Sequence, residues 1–188
     1  MIQLVLRVVV ALFPISEVAL AFVKRSGGRT ARSEDRGSMR LLWLSIALGV
    51  GLAIAAQWIP STRLPGPPHI YRILALGLLL GGLGLRWAAI LTLGRLFTVD
   101  VAIHPGHVVV QAGLYRLVRH PSYTGLLVAF LGLGVFFTNW LSILGLLTPI
   151  TLAVLNRVTK EEHALLTSLG AEYAFYCART KRFIPGLL

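Results

Sequence analysis

Two polar segments interrupt an otherwise apolar chain, and their residue types could bind a charged ligand. The first is RHPSYTG at residues 119–125, and the second contains the adjacent pair Glu161 and Glu162. An arginine can bind a carboxylate through two parallel hydrogen bonds, and glutamates can accept hydrogen bonds from hydroxyl or ammonium groups. Tyrosine can form an aromatic wall, while glycine allows close approach of a ligand or of backbone. Whether these groups form one site depends on the elements that carry them.

The composition places the chain in a membrane. Of its 188 residues 56% are hydrophobic, and the mean hydropathy of +0.77 is too high for a soluble globule. A formal charge of +11 would suggest nucleic acid in a soluble protein. Here it indicates loops that face anionic lipid, so we expect membrane lipids and no nucleic acid as partners. The single cysteine, Cys177, excludes an internal disulfide and a multi-cysteine zinc site, and we expect no bound metal.

Three apolar runs are long enough to cross a bilayer as helices. Residues 2–23, 41–59 and 73–93 each contain about 20 residues, which span about 30 Å at a helical rise of about 1.5 Å. No small-x-small cleavage pattern follows the first run, so we expect an anchor and not a cleaved signal. The segment GGLGLR at residues 81–86 lies inside the third run. Its glycines predict close helix packing rather than a nucleotide-binding loop.

The fourth apolar run, residues 125–155, is too long for a single span. As one straight helix it would extend about 46 Å, well beyond the hydrocarbon core. Asn139 and Trp140 lie at its midpoint, where a turn-tolerant polar residue stands beside an interfacial aromatic. We therefore predict a hairpin of two short helices of about 15 residues each. The expected fold class is all-α: a polytopic membrane helix bundle of about five transmembrane helices, including this C-terminal hairpin, plus a cytoplasmic C-terminal helix.

The distribution of cations orients this bundle. Residues 24–40 are rich in lysine and arginine, whereas the connection at residues 60–69 has Arg63 as its one full charge. The positive-inside tendency therefore makes the first connection cytoplasmic and the second non-cytoplasmic. Three spans then bring the first polar segment to the cytoplasm, and the hairpin returns the C-terminal tail to the same side. Both polar segments are thus expected to meet there.

Read in full, the two segments resemble those of the isoprenylcysteine carboxyl methyltransferase family. HVVVQAGLYRLVRHPSYTG at residues 107–125 follows the family pattern H-x-L-V-x-x-G-x-Y-x-x-x-R-H-P-x-Y-x-G. After an apolar hairpin, KEEHALLTSLGAEYAFYCARTKRFIPGL at residues 160–187 follows E-E-x-x-L-x-x-x-x-G-x-x-Y-x-x-Y and a closing proline. Val109 stands where the family often has leucine. The resemblance covers the C-terminal part of the chain, and the earlier residues match only as hydrophobic spans.

The resemblance implies an integral membrane enzyme with S-adenosyl-L-methionine as cofactor. Arg119 or His120 would face the carboxylate of this cofactor, and one of the two glutamates would accept from its ribose or amino group, since neighbours on a helix point about 100° apart. Within one structural domain, residues 1–93 would form three transmembrane helices and residues 94–188 the catalytic region. The two residues expected to act in catalysis are Arg119 and Glu162. The residues expected to bind the cofactor are His107, Val110, Gly113, Tyr115, Arg119, His120, Pro121, Tyr123, Gly125, Glu161 and Glu162.

Some of these residues have structural alternatives. Arg119 could anchor a lipid phosphate, although its place beside His-Pro-x-Tyr-x-Gly favours the ligand. Glu161 could pair with Arg157 one helical turn away, an interaction worth about 0.3–0.5 kcal/mol at a surface. Tyr173 and Tyr176 are expected to pack the C-terminal helix against the bundle rather than to contact the cofactor.

The predicted activity is carboxyl O-methylation of an isoprenylcysteine or a similar lipophilic acceptor that enters from the bilayer. A phospholipid amine or thiol methyltransferase of related fold is the first alternative. A metal-dependent membrane hydrolase built from the histidines, or a small transporter with Glu17 as its coupling carboxylate, comes after these. Glu17 and Arg7 differ in depth by about 15 Å along the first span, so we do not expect them to pair. We expect the active site on the cytoplasmic side of a bacterial or archaeal cell membrane.

Overall fold

The computed structural model describes residues 2–23, 32–35, 37–98, 101–103 and 108–186. Helices dominate the described part of the chain, with two short strands in the connections. The helices are α1 (Ile2–Val23), α2 (Gly37–Ala55), α3 (Pro68–Leu93), α4 (Pro121–Phe136), α5 (Trp140–Leu169) and α6 (Ala171–Arg179). The strands are β1 (Arg32–Asp35) and β2 (Val101–Ile103).

Five of the six helices form an apolar bundle. By length and hydropathy α1, α2, α3 and α5 can each cross a membrane, and α4 is a shorter apolar helix of 16 residues. The most extensive helix contacts join α3 to α4 and α2 to α5. The predicted fold class is therefore confirmed: the protein is an integral membrane helix bundle that spans the bilayer several times.

The predicted hairpin exists, and Asn139 forms its turn. Its Oδ1 accepts from the main-chain nitrogens of Leu141 (2.9 Å) and Ser142 (3.1 Å), which caps the start of α5. Its Nδ2 donates to the main-chain oxygen of Ala56 (3.0 Å) and to Oγ1 of Thr62 (2.7 Å). The asparagine can be fully buried because these partners satisfy the hydrogen-bonding groups of its amide.

The second arm of the hairpin was predicted with the wrong length. It is a helix of 30 residues, about twice the expected length, and it continues past the charged residues of the second polar segment to Leu169. Charged residues do not end a helix by themselves, whereas a glycine with positive φ does. Gly170 (φ +56°) provides that ending, and α6 begins directly after it.

Glycines allow α3 and α4 to pack with their backbones in close contact. A Cβ on Gly82 would lie 2.4 Å from the nitrogen of Ala129, and one on Gly125 would lie 2.5 Å from the nitrogen of Arg86. No side chain fits at such distances. The prediction that GGLGLR packs helices is thus correct for Gly82, and Gly125 is its counterpart on α4.

The two strands were not predicted. They form an antiparallel pair in which Arg32 is opposite Ile103. One strand lies in the connection after α1 and the other in the connection after α3, so both connections are at the same end of the bundle. Their pairing consists of main-chain hydrogen bonds, which the short RSED and VAI sequences do not reveal through side-chain alternation.

Candidate active site

A large cavity lies at the end of the bundle where α3 ends and α4 begins. It encloses about 1330 Å³ of empty space, including the part that is open to solvent. All six helices contribute to its wall, together with residues 96–98 and 108–110. Its lining combines charged, aromatic and aliphatic side chains, as is typical of small-molecule sites.

The cavity brings together many of the predicted site residues. Those that line it are Val110, Tyr115, Arg119, His120, Tyr123 and Glu161. Four others are described but do not belong to its lining, namely Gly113, Pro121, Gly125 and Glu162. The remaining prediction, His107, lies outside the described residues. The two polar segments therefore meet in space, although they are separated by the hairpin in sequence.

Arg119 is held by the C-terminal part of the chain. Its Nε donates to Oε1 of Glu162 (2.9 Å), and its Nη1 donates to the main-chain oxygens of Cys177 (3.1 Å) and Thr180. The side chain is 11% exposed. These bonds fix the guanidinium at the wall of the cavity, so its orientation does not depend on a ligand.

Glu162 contacts two arginines and a histidine. Its Oε1 also lies 3.1 Å from Nε2 of His120, and its Oε2 accepts from Nε (2.9 Å) and Nη2 (2.6 Å) of Arg182. The hydrogen bonds that Arg182 donates to Glu162 raise the pKa of its guanidinium. One buried carboxylate thus joins the first polar segment to the C-terminal tail.

The main chain of the tail strengthens the same junction. We call residues 180–183 the C-terminal strap. The nitrogens of Arg119 and His120 donate to the oxygens of Lys181 (2.8 Å) and Arg182 (3.0 Å). Oγ1 of Thr124 donates to the oxygen of Phe183 (3.1 Å). Pro121 can begin α4 here because it needs no hydrogen-bond acceptor at the first helical position.

Glu161 faces the cavity through a different set of contacts. Its Oε2 accepts a hydrogen bond from the hydroxyl of Tyr123 (2.9 Å), which itself accepts from Nε of Arg157 (2.6 Å). Arg157 also donates from Nη1 to Oγ of Ser38 (3.1 Å). The expected link between Glu161 and Arg157 therefore includes the tyrosine hydroxyl, and these contacts join α5 to both α4 and α2.

Tyrosines form the aromatic part of the wall. Tyr173 and Tyr176 pack α6 against the bundle as predicted, and both also line the cavity. The hydroxyl of Tyr176 donates to the main-chain oxygen of Tyr115 (2.7 Å). Burial raises the pKa of Tyr176 to about 12, and burial likewise raises the pKa of Tyr115 and Tyr173. All three hydroxyls are therefore neutral groups at physiological pH.

An ion pair inside the bundle was missed in the sequence. Nε and Nη2 of Arg86 donate to Oε1 and Oε2 of Glu17, both at 2.6 Å, and Nη1 donates to Oγ of Ser122 (3.0 Å). Both charged side chains line the cavity. The first-span carboxylate thus pairs with α3, and not with Arg7. An arginine within an apolar span is itself a signal of function, and this signal would have identified Arg86.

An apolar wall on α2 was also missed. Met39, Leu42, Trp43 and Ile46 all line the cavity. They recur at spacings of three and four residues, as expected for one face of a helix. Nothing in the sequence distinguishes this face from an ordinary packing or lipid-facing surface.

Metal ligands do not cluster in this region. Across the described ranges, no group of three or more His, Cys, Asp or Glu side chains could hold a metal ion. The carboxylates of the site are instead bound to arginines, a histidine and a tyrosine.

Comparison with known proteins identifies the family. The sequence pattern of the isoprenylcysteine carboxyl methyltransferase (ICMT) family matches residues 74–167, which is half of the 188-residue chain. The chain belongs to the ICMT family. The matched range begins in α3 and ends in α5, so it contains Arg86, Arg119 and both adjacent glutamates. The resemblance noted in the C-terminal segments is thereby confirmed, and it extends into the third transmembrane helix.

Several isoprenylcysteine methyltransferases are similar to this chain in sequence or structure. Protein-S-isoprenylcysteine O-methyltransferase A of Arabidopsis thaliana is 28% identical over 92% of this chain and 87% of its own length. The B protein of the same plant is 33% identical over 54% of this chain and 52% of its own length. A structure of the eukaryotic intramembrane Ras methyltransferase ICMT superposes with a TM-score of 0.57 at 26% identity. That superposition covers 80% of this chain and 51% of the other, so this chain spans about half the length of two of these three ICMT relatives.

Proposed function

We propose that this ICMT-family protein transfers a methyl group from S-adenosylmethionine to a carboxylate of a lipophilic acceptor, the α-carboxylate of a prenylated cysteine. The observation that carries the proposal is the cavity itself. Its lining combines polar residues that match the family motifs with the apolar face of α2. A charged cofactor and an apolar acceptor could therefore occupy the same enclosed space.

The residues of the polar side fit the groups of S-adenosylmethionine. Glu161 provides a carboxylate for the ribose hydroxyls or the amino group, while Arg119 provides donors for the carboxylate end, beside the ring of His120. Tyr115 and Tyr173 provide aromatic surface for the adenine. When bound, the cofactor would supply an activated methyl group for transfer to an acceptor oxygen, and its sulfur would leave with the electron pair of the C–S bond. An ionised carboxylate needs no general base for this reaction.

Arg86 is suited to hold the carboxylate of the acceptor. A guanidinium has five N–H groups, and in the described ranges its recorded bonds are two to Glu17 and two to Ser122. One N–H of Nη2 is therefore left for a ligand. Arg86 is only 8% exposed, and it lines the cavity. A buried donor of this kind favours an anionic acceptor over an amine. The protein then acts mainly by holding two reactants in line and excluding water.

Glu162 has a different role in this proposal from the cofactor contact expected from the sequence. Because its oxygens bind Arg119, His120 and Arg182, we assign it to positioning these side chains. Arg119 then presents its guanidinium to the cavity in a fixed arrangement, beside the ring of His120. The cofactor site would lie on the cytoplasmic side of the membrane, as the distribution of cations predicts.

Two measurements test the proposal. Calorimetry with S-adenosylhomocysteine on the purified protein should give a dissociation constant near the micromolar range, equivalent to about −8 kcal/mol, with or without a chelator. Methyl transfer should then be measured to an N-acetylated S-prenylcysteine, a phosphatidylethanolamine and a hydrophobic thiol. We expect transfer to the prenylcysteine carboxylate. Folded protein that binds no S-adenosylhomocysteine in detergent or lipid would overturn the methyltransferase assignment, and transfer only to the amine or thiol would overturn the acceptor.

A further inference from the structure

Two segments that are distant in sequence form one surface beside the cavity. Val118 pairs with Lys181 in an isolated parallel bridge, and the nitrogen of Arg119 donates to the oxygen of Lys181. The exposed side chains that flank this junction come from both segments. We call them the basic patch: Arg116, Leu117, Arg179, Lys181 and Ile184.

The basic patch combines positive charge with exposed apolar area. Leu117 is 58% exposed and Ile184 is 45% exposed, and the three remaining members are cations. Residues 113–120 and 176–186 contain no aspartate or glutamate, so no acidic side chain within either segment offsets the charge. The guanidinium of Arg179 lies 5.3 Å from the ring centre of Phe175, which is itself exposed.

The position of the patch along the bundle is that of a membrane surface. The C-terminal strap is bound to His120 and Thr124, which begin α4. As a helix of 16 residues, α4 extends about 24 Å, slightly less than a hydrocarbon core of about 30 Å. Both of its ends therefore lie near the two interfaces. The patch is attached to one of these ends, where cations meet lipid head groups and apolar side chains reach the acyl boundary.

We propose that the basic patch binds the head groups of anionic phospholipids, and that this binding strengthens cofactor binding in the adjacent cavity. The second half of the proposal rests on the function proposed above. Cations beside exposed leucine and isoleucine at the bilayer surface match an anionic lipid, which offers negative charge and an apolar boundary together. A soluble anion would contact only the three cations of the patch and would leave its leucine and isoleucine exposed.

The contacts of the C-terminal strap couple the patch to the cavity. Lys181 belongs to the patch, and its main-chain oxygen holds the nitrogen of Arg119. The next residue, Arg182, binds Glu162, which in turn holds the side chains of Arg119 and His120. A lipid that fixes Arg179 and Lys181 therefore stabilises the same arrangement that the cofactor needs. Because linkage is reciprocal, the cofactor should strengthen lipid binding by the same factor.

The test compares lipids and matched variants of the full-length protein. The protein is reconstituted in nanodiscs of phosphatidylcholine alone or of phosphatidylcholine mixed with phosphatidylglycerol. The thermal unfolding midpoint measures lipid binding, and calorimetry measures the dissociation constant of S-adenosylhomocysteine. The patch variant is Arg179→Gln/Lys181→Gln. The control, Arg40→Gln/Arg95→Gln, removes the same charge from two exposed cations on other elements, at the start of α2 and just after α3.

We expect phosphatidylglycerol to raise the unfolding midpoint and to lower the dissociation constant of the native protein about fivefold, which corresponds to about 1 kcal/mol. The control should respond in the same way, and the patch variant should respond less than twofold. The proposal would be overturned if the patch variant responded to phosphatidylglycerol as strongly as the native protein. It would also be overturned if the control variant lost as much of this response as the patch variant. If the midpoint responds as expected but no variant binds S-adenosylhomocysteine in any lipid, the lipid surface stands and the proposed function with its coupling is wrong.

Discussion

Two carboxylates of this protein are buried in different ways. Glu162, at the surface end of the bundle, has polar contacts with two arginines and a histidine from two segments. Glu17, inside the bundle, receives both of its bonds recorded in the described ranges from the single guanidinium of Arg86. The first arrangement retains partners when one cation is lost, whereas the second does not. The two clusters should therefore differ in how strongly the fold depends on any one side chain.

The largest loss of stability is expected when the ion pair between Glu17 and Arg86 is broken. Arg86→Leu leaves Glu17 as an uncompensated charge in the bundle, and breaking a buried pair in this way costs about 3–5 kcal/mol. Thermal unfolding in a fixed detergent should show this loss. The double variant Glu17→Leu/Arg86→Leu removes both charges and should recover most of the stability, while methyl transfer stays lost. A single variant as stable as the native protein would show that this pair is not important for the fold.

The shared carboxylate should affect ligand binding more than folding. Glu162→Gln removes the charge that holds Arg119 and His120, so S-adenosylmethionine binding should weaken by about 1–3 kcal/mol, or about 5- to 150-fold. Arg182→Gln leaves Glu162 with two other partners, Arg119 and His120. The loss of cofactor affinity in this variant should therefore be smaller than in Glu162→Gln. Equal affinities for the native protein and Glu162→Gln, measured by calorimetry, would contradict the positioning role.

The close packing of α3 against α4 positions Arg86 next to Ser122. Gly125→Ala would put a Cβ 2.5 Å from the nitrogen of Arg86, so the two helices must move apart, at a cost of about 1–3 kcal/mol. Gly84→Ala is a matched control on α3, because a Cβ there has no neighbour within 4 Å. Unfolding midpoints should fall for the first variant and hold or rise for the second. The opposite order would mean that the helices are not in close contact.

The smallest effect is expected at the tyrosine between Arg157 and Glu161. Tyr123→Phe removes one hydroxyl that donates to Glu161 and accepts from Arg157, so about 1 kcal/mol of stability should be lost. Because Glu161 then lacks its donor, cofactor affinity should also fall slightly. Calorimetry and unfolding on the same preparation separate the two effects. A loss as large as that of Arg86→Leu would show that the hydroxyl is more important than its two bonds indicate.

The predictable part of the molecule consists of features that local sequence encodes. Apolar runs of sufficient length predicted the spans, and excess length with Asn139 at its centre predicted the hairpin. The structure places Asn139 at the opposite end of α4 from His120. That the asparagine end is non-cytoplasmic stays a prediction, as does a bacterial or archaeal source. Cysteine labelling at residues 139 and 181 in a Cys177-free background would test the sidedness.

The rest depends on contacts between segments, which a single sequence does not encode. Motif spacing predicted Arg119 and Glu161 as site residues, but the same spacing cannot show that Glu162 binds Arg119, His120 and Arg182 and does not line the cavity. The α2 wall has the ordinary composition of a membrane helix, so its part in the cavity appears only when the helices are assembled. For Arg86, the available signal was its charge within an apolar span.

The hydrogen bonds of Asn139 have a consequence for how the chain is assembled during synthesis. Its amide caps α5, yet it also needs the oxygen of Ala56 and the hydroxyl of Thr62, which belong to the connection between α2 and α3. Chains emerge N-terminus first, so these acceptors are made before the hairpin. The early helices thus provide a docking point, and a hairpin inserted without them would carry an unsatisfied amide at its turn. Biogenesis should therefore proceed in order, with the hairpin docking onto helices that have already been inserted.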